Sequence, residues 1–158
     1  MRAMLARPVV HSMAMRVYYE DTDASGIVYY ANYLKFAERG RTELLRSLGF
    51  GHRVLEQEAG VVFTVRRCTA DYRSIARLDD ALIVETRVAG LGGATLDLQQ
   101  QICRDGRTLV ALDILVACIG QNGRPRRVPA ALRTALNLPP GDPSAPRSSP
   151  SAIIQKTP

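Results

Sequence analysis

Three closely spaced carboxylates, Glu20, Asp21 and Asp23, stand just ahead of Gly26, Tyr29, Tyr30 and Asn32. A loop carboxylate can act as a general base or a nucleophile, provided that a neighbouring group stabilises the charge developing on the atom it drives. The start of a helix supplies such a group, because its first N–H groups lack intrahelical partners and carry partial positive charge. The acidic run directly precedes the longest helical pattern in the chain. With Asp23 facing those amides, the pair would form an acyl-transfer site, the carboxylate as base or nucleophile and the N–H groups as oxyanion donors. The same residue types also cap helices and close turns without any chemistry. Spacing alone leaves both roles open.

The positioning elements are legible around this run. Met13 to Tyr19 (MAMRVYY) is compatible with a strand, ended by the polar segment 20–26. From Val28 to Leu48, apolar or small residues recur at Tyr29, Tyr33, Phe36, Ala37, Gly40, Leu44 and Leu48, the spacing of one helical face. Gly49 stands where a left-handed cap would end that helix, and Arg39 and Glu43 offer an i,i+4 ion pair on it. A short helical stretch, Gly51 to Glu58, leads into four strand-like runs rich in Val, Ile, Leu and Thr: Val61–Tyr72, Ala81–Ala89, Thr95–Arg104 and Thr108–Ile119. Their separators are turn-like, and Asp105-Gly106 is a strong hairpin signal. The order predicts an α+β fold in which an antiparallel sheet curls around the one long amphipathic helix. Pro129 to Leu138 reads as a short terminal helix.

At 158 residues and 46% hydrophobic composition, the chain is the size of one domain. We expect an extension over 1–12, a folded domain over 13–138 and a disordered Pro/Ser-rich tail over 139–158. No apolar run approaches the roughly 20 residues of a membrane helix, and residues 1–16 are too interrupted for a secretory core. Cys68, Cys103 and Cys118 lack paired spacing and have only His11 and His52 as potential co-ligands, so neither disulfides nor a metal site is expected. Buried reduced thiols and a cytoplasmic location are the expectation. The formal charge of +6 would attract anions, whether nucleic acid, an acidic membrane or a small phosphorylated substrate, though some of the excess sits in Arg124, Arg126, Arg127, Arg133 and Arg147, near or beyond the end of the core. Aromatics make up only 6% and gather at the helix start, which argues against nucleic acid. Ser25 lacks a nucleophile elbow, and Gly90 to Gly93 lacks the Lys-Ser/Thr ending of a phosphate-binding loop.

The run Val17 to Tyr33 (VYYEDTDASGIVYYANY), followed by Phe36-Ala37-Glu38-Arg39 and Arg41-Thr42-Glu43, resembles the signature of hotdog-fold acyl-CoA thioesterases. The nearest group is the bacterial Tol-Pal-associated (YbgC-type) one, akin to 4-hydroxybenzoyl-CoA thioesterases. The likeness continues through Phe63 to Arg67, Asp71-Tyr72 and Ala76 to Asp80, and covers most of Val17 to Ile119. It implies a five-stranded antiparallel sheet wrapped around one long central helix, in homodimers or homotetramers with active sites at subunit boundaries. It also implies an acyl-CoA substrate, hydrolysed without a cofactor because CoA is part of the substrate, with acyl carrier protein as a further potential partner. The second Asp of the D-x-D-x-x-G segment, the catalytic carboxylate in that family, falls on Asp23, and the backbone N–H that polarises the thioester falls on Tyr30.

Two positions depart from the pattern. Many Tol-Pal-associated members carry His where this chain has Tyr30, whereas the benzoyl-CoA type has Tyr. Leu91 to Ala94 (LGGA) replaces basic residues that meet the CoA phosphates in the benzoyl-CoA type, and Arg66, Arg67 and Arg77 are the candidate substitutes. Tyr29, Tyr33 and Phe36 suit an acyl-pocket wall or core, Asp21 a structural role, and Glu38 a helix surface or interface. The competing reading is a non-catalytic module that binds acyl-CoA or acyl carrier protein within an envelope or lipid-synthesis complex.

Overall fold

Strict alternation makes the sheet. Along Ala81–Leu91, the side chains of Leu82, Val84, Thr86 and Val88 are buried while those between them are exposed, so one face turns to a core and the other to water. The computed structural model describes residues 10–136. It contains five antiparallel strands, β1 (Val10–Arg16), β2 (Val61–Tyr72), β3 (Ala81–Leu91), β4 (Thr95–Arg104) and β5 (Arg107–Gly120), in the order β1-β3-β4-β5-β2. The long helix α1 (Asn32–Ser47) lies against β1, β3 and β4. The five-stranded α+β sheet curled around one helix is therefore present as expected.

Local signals set most boundaries. Asp105 and Gly106 both adopt positive φ, 51° and 74°, which matches the right-handed strand twist in a two-residue hairpin between β4 and β5. Gly49, at φ 87°, ends α1: its N–H donates to Arg46 O and that of Phe50 to Leu45 O, satisfying two otherwise orphaned carbonyls. After it come α2 (His52–Val54) and a π-helical turn over Leu55–Ala59. A last helix, α3 (Ala130–Ala135), packs back so that Arg133 Nη2 donates to Gly92 O at 2.6 Å.

The structure corrects several expectations. β1 begins at Val10 and ends at Arg16, because Val17 N–H turns to Asp80 O and Tyr19–Asp21 forms a 3₁₀ turn. α1 begins at Asn32, leaving Tyr29 and Tyr30 on the loop before it. Glu43 pairs with Arg46 one turn on, while Arg39 stacks over the Phe36 ring at 5.9 Å instead of meeting Glu43. Cys103 and Cys118 are buried, but Cys68 is exposed, because it sits on an edge strand whose residues 64–69 are uncovered on both faces. The segments 1–9 and 137–158 lie outside the described residues, and with them the tail expected over 139–158 and the end of the helix expected to Leu138.

Helix and sheet meet through Gly40. A Cβ there would stand 2.6 Å from Val84 Cγ1, closer than side chains tolerate, so only glycine permits this approach. Beside it, buried Gln100 donates from Nε2 to Ala37 O at 2.9 Å and to Thr86 Oγ1 at 2.8 Å, pinning the helix backbone to β3 and β4. Gly40→Ala should push α1 off the sheet and lower stability by about 1–3 kcal/mol, measured by urea denaturation. An unchanged midpoint would show that the interface yields freely.

Candidate active site

The loop between β1 and α1 is closed on itself. Asp23 N–H donates to Ile27 O at 2.9 Å, Thr22 pairs with Val28, and Tyr29 N–H donates to Asp21 O at 3.1 Å, so residues 21–29 form a small antiparallel arch. Gly26, at φ 72°, makes the bend. Asp21 anchors the base of the arch: it is buried, its Oδ2 accepts from Tyr18 N–H at 2.9 Å, and its carbonyl also accepts from Asn32 Nδ2 at 2.8 Å. Asn32 thereby ties the first residue of α1 to the loop.

A second segment holds the arch from outside. Val28 N–H donates to Ala76 O, Leu78 N–H to Gly26 O, and Ile27 pairs with Arg77. That segment is itself fixed, since Ala76 N–H donates to Tyr33 Oη at 3.0 Å and Arg77 N–H to Asp80 Oδ2 at 2.8 Å. Arg104, from the end of β4, reaches Asp80 Oδ2 at 2.5 Å and Ile75 O at 3.3 Å. Burial opposes ionisation of Asp80, but the Arg77 N–H and the Arg104 guanidinium outweigh it and hold the carboxyl below its ordinary range.

On this frame Asp23 is exposed. Its Oδ1 accepts from Ser25 N–H at 2.8 Å, and its Oδ2 has no donor among the described residues. The Tyr30 N–H likewise has no acceptor among the described residues. The arch thus presents an open carboxylate oxygen, with an unpaired amide on the same loop one residue beyond its base. An aromatic chain flanks it: Tyr29 to Tyr30 at 4.7 Å, Tyr30 to Tyr72 at 6.2 Å, Tyr72 to Tyr33 at 5.8 Å and Tyr33 to Phe36 at 5.9 Å between ring centroids. Tyr33 is buried, and its burial raises the phenol above its usual range, so it stays a neutral hydrogen-bonding wall.

Of the residues picked out from sequence, Asp23, Tyr29, Tyr30, Tyr33 and Arg77 are gathered around the arch. Arg66 and Arg67 are not: they lie five or six positions down β2 from Tyr72, roughly 17–20 Å at the rise of a strand. Arg66 is the extra residue of a bulge, unpaired between Val65 and Arg67. Tyr72, Asn32, Asp80 and Arg104 were not singled out for roles here. Tyr72, Asn32 and Asp80 lie within the matching motifs, whereas the Asp80–Arg104 contact joins residues 24 apart and leaves no local signal. No cluster of His, Cys, Asp or Glu suited to a metal occurs among the described residues, and no described helix is long and apolar enough to cross a membrane.

The five-stranded antiparallel sheet curled around one long helix is the hotdog fold of thioesterases. Residues 17–136 match the thioesterase-like superfamily, and the chain belongs to that family of thioester hydrolases. It is 46% identical over 108 residues to acyl-CoA thioesterase YbgC of Haemophilus influenzae, spanning 68% of this chain and 79% of the relative. Over 120 residues it is 42% identical to acyl-CoA thioester hydrolase YbgC of Escherichia coli O6:H1, spanning 75% and 89%. The crystal structure of a probable thioesterase from Bartonella henselae superposes with a TM-score of 0.73 at 38% identity, covering 77% of this chain and all of that one.

The Asp80–Arg104 contact gives the site an acid sensitivity. The folded pKa of Asp80 is depressed, so its contribution is complete above the unfolded carboxylate value of about 4 and fades as pH falls through the lower folded value. Asp80→Asn should cost about 1 kcal/mol at neutral pH and flatten the acid limb of a stability-against-pH profile. A variant with the parental acid limb would mean that other carboxylates control it.

Proposed function

We propose that this protein hydrolyses acyl-CoA thioesters to a free carboxylic acid and CoA, with Asp23 as the catalytic carboxylate and the Tyr30 N–H as the oxyanion donor. The observation that carries this reading is that the loop before α1 holds, among the described residues, both a carboxylate oxygen without a donor and, one residue past the arch, an amide without an acceptor. Asp23 either draws a proton from the attacking water or adds to the thioester carbonyl itself; in both routes the carbonyl oxygen gains negative charge that the Tyr30 amide stabilises. CoA leaves as the thiol, and the reaction needs no cofactor. Tyr29 and Tyr33 wall the acyl group, and Arg77 meets the CoA phosphates.

The working unit is a homodimer built on β2. That strand is long, unpaired on its outer edge among the described residues and exposed on both faces over residues 64–69, a surface that a second copy would cover. Asp23, Tyr29 and Tyr30 are exposed in the single chain, which suits a site completed across a subunit boundary. Arg66 and Arg67 then serve the partner's site, since their own arch is too distant.

Asp23→Asn should reduce thiol release from acyl-CoA by about 10²–10⁴-fold with an unchanged melting temperature, because the amide oxygen still accepts from Ser25. Parental turnover in that variant would overturn the assignment. Saturable acyl-CoA binding without turnover by the wild type, across short, long and aromatic acyl groups, would establish a binding module instead. Tyr30→Phe should retain turnover within a few fold, because the donor is backbone; loss comparable to Asp23→Asn would move the role to the phenol.

A further inference from the structure

The two groups assigned to the chemistry ride on different pieces of the molecule. The Tyr30 amide travels with α1: Asn32 N–H donates to Tyr29 O at 2.8 Å and Leu34 N–H to Ala31 O at 3.2 Å, so the turn through Tyr30 runs directly into the helix. The Asp23 carboxylate travels with the arch. Their relative placement is therefore set by whatever ties the arch to α1.

Asn32 ties only the base of the arch, at Asp21 O. The far side, Gly26 to Val28, is held by the segment before β3, through Leu78 N–H on Gly26 O at 3.1 Å and Val28 N–H on Ala76 O at 2.9 Å. Among the described residues one hydrogen bond joins that segment to α1, from Ala76 N–H to Tyr33 Oη at 3.0 Å. Ala76 thus meets the helix with its N–H and the arch with its carbonyl. Both partners are enclosed, Ala76 at 0% exposed and Tyr33 at 3%, so water has no access to stand in for the phenol. The Tyr33 ring is wedged as well, its centroid 5.9 Å from that of Phe36 and 5.8 Å from that of Tyr72, which leaves the hydroxyl little room to swing.

We propose that Tyr33 is a positioning residue of the hydrolytic site, its hydroxyl setting, through Ala76 and Val28, where the Asp23 carboxylate stands relative to the Tyr30 amide. The inference rests on the reading of Asp23 and Tyr30 as the reacting pair, and it adds a hydroxyl that acts on them only through the backbone. Ring and hydroxyl have separable duties: the ring can wall the acyl group while the oxygen, bonded to a main-chain amide, holds the frame. Removing that oxygen leaves a buried N–H without an acceptor, and the segment must shift to satisfy it, carrying the arch along. A displacement of about 1 Å between reacting groups is worth roughly 10²-fold in rate.

Tyr33→Phe keeps the ring and isolates the hydroxyl. In the full chain it should lower kcat for thiol release about ten- to hundredfold and leave KM within about twofold, by the same factor for acetyl-, decanoyl- and benzoyl-CoA, because misalignment of the reacting pair is blind to the acyl group. Amide hydrogen exchange followed by NMR should quicken at Val28 and Ala76 by about tenfold or more beyond any change in β4, which a general loss of stability would move equally. A kcat within twofold of the parent would overturn the proposal, as would a loss carried by KM or confined to one acyl class, or unchanged exchange at Val28. Should the wild type release no thiol, the hydrolase reading fails, and the exchange comparison still decides whether Tyr33 holds the arch. Should Tyr33→Phe not fold, the wild type decides through the Ala76 amide, which should exchange as slowly as those of β4; exchange at the rate of an open loop would show that the phenol does not hold it.

Discussion

The buried Asp21 is the constraint on which the site depends. Its carboxylate takes the Tyr18 N–H, and its carbonyl takes both the Tyr29 N–H and the Asn32 side chain. One residue thus fastens the end of β1, the far arm of the arch and the first turn of α1. A carboxylate this enclosed needs a donor, and the Tyr18 N–H supplies one at short range. With those three points fixed, the loop tip has few ways to run, and Asp23 is delivered to the surface in a single arrangement with one oxygen occupied and one free.

The division of labour between neighbouring carboxylates follows from burial. Asp21 and Asp23 are two residues apart on one segment, yet the first is spent on backbone donors inside and the second faces solvent. Period-two alternation along an extended arm sends adjacent odd positions to the same side, but the 3₁₀ turn over Tyr19–Asp21 breaks that register before Asp23 is reached. A single turn of tight helix is what lets one strand end supply both a buried anchor and an exposed carboxylate.

Much of the fold was legible because it is local. The Asp105-Gly106 hairpin, the Gly49 cap and the full extents of β2 and β4 each follow from residues within a few positions of one another. The start of α1 was not: Tyr29 belongs to the apolar spacing of the helical face, but its amide is taken by Asp21 O, which holds it in the arch instead. The exposure of Cys68 escaped for the same reason, because whether a strand is central or at an edge depends on pairing partners far away in sequence. At the site, the family motif is what points to Asp23 and Tyr30, and the preference for a structural Asp21 agrees with its hydrogen bonds. The supporting Arg104–Asp80–Arg77 contacts join separate elements and have no periodic signature.

The strand order also governs when the site can come into being. β4 and β5 meet across two residues, whereas β1 must find β3 across the helix and β2, and Arg16 on Asp79 O closes a span of 63 residues. Loop-closure entropy makes such distant pairings slow relative to a hairpin. The arch lies between the end of β1 and the start of α1 and leans on the segment just before β3, so its frame is complete only once β1 and β3 have paired. Until then the chain can hold the β3-β4-β5 meander but not the framed arch.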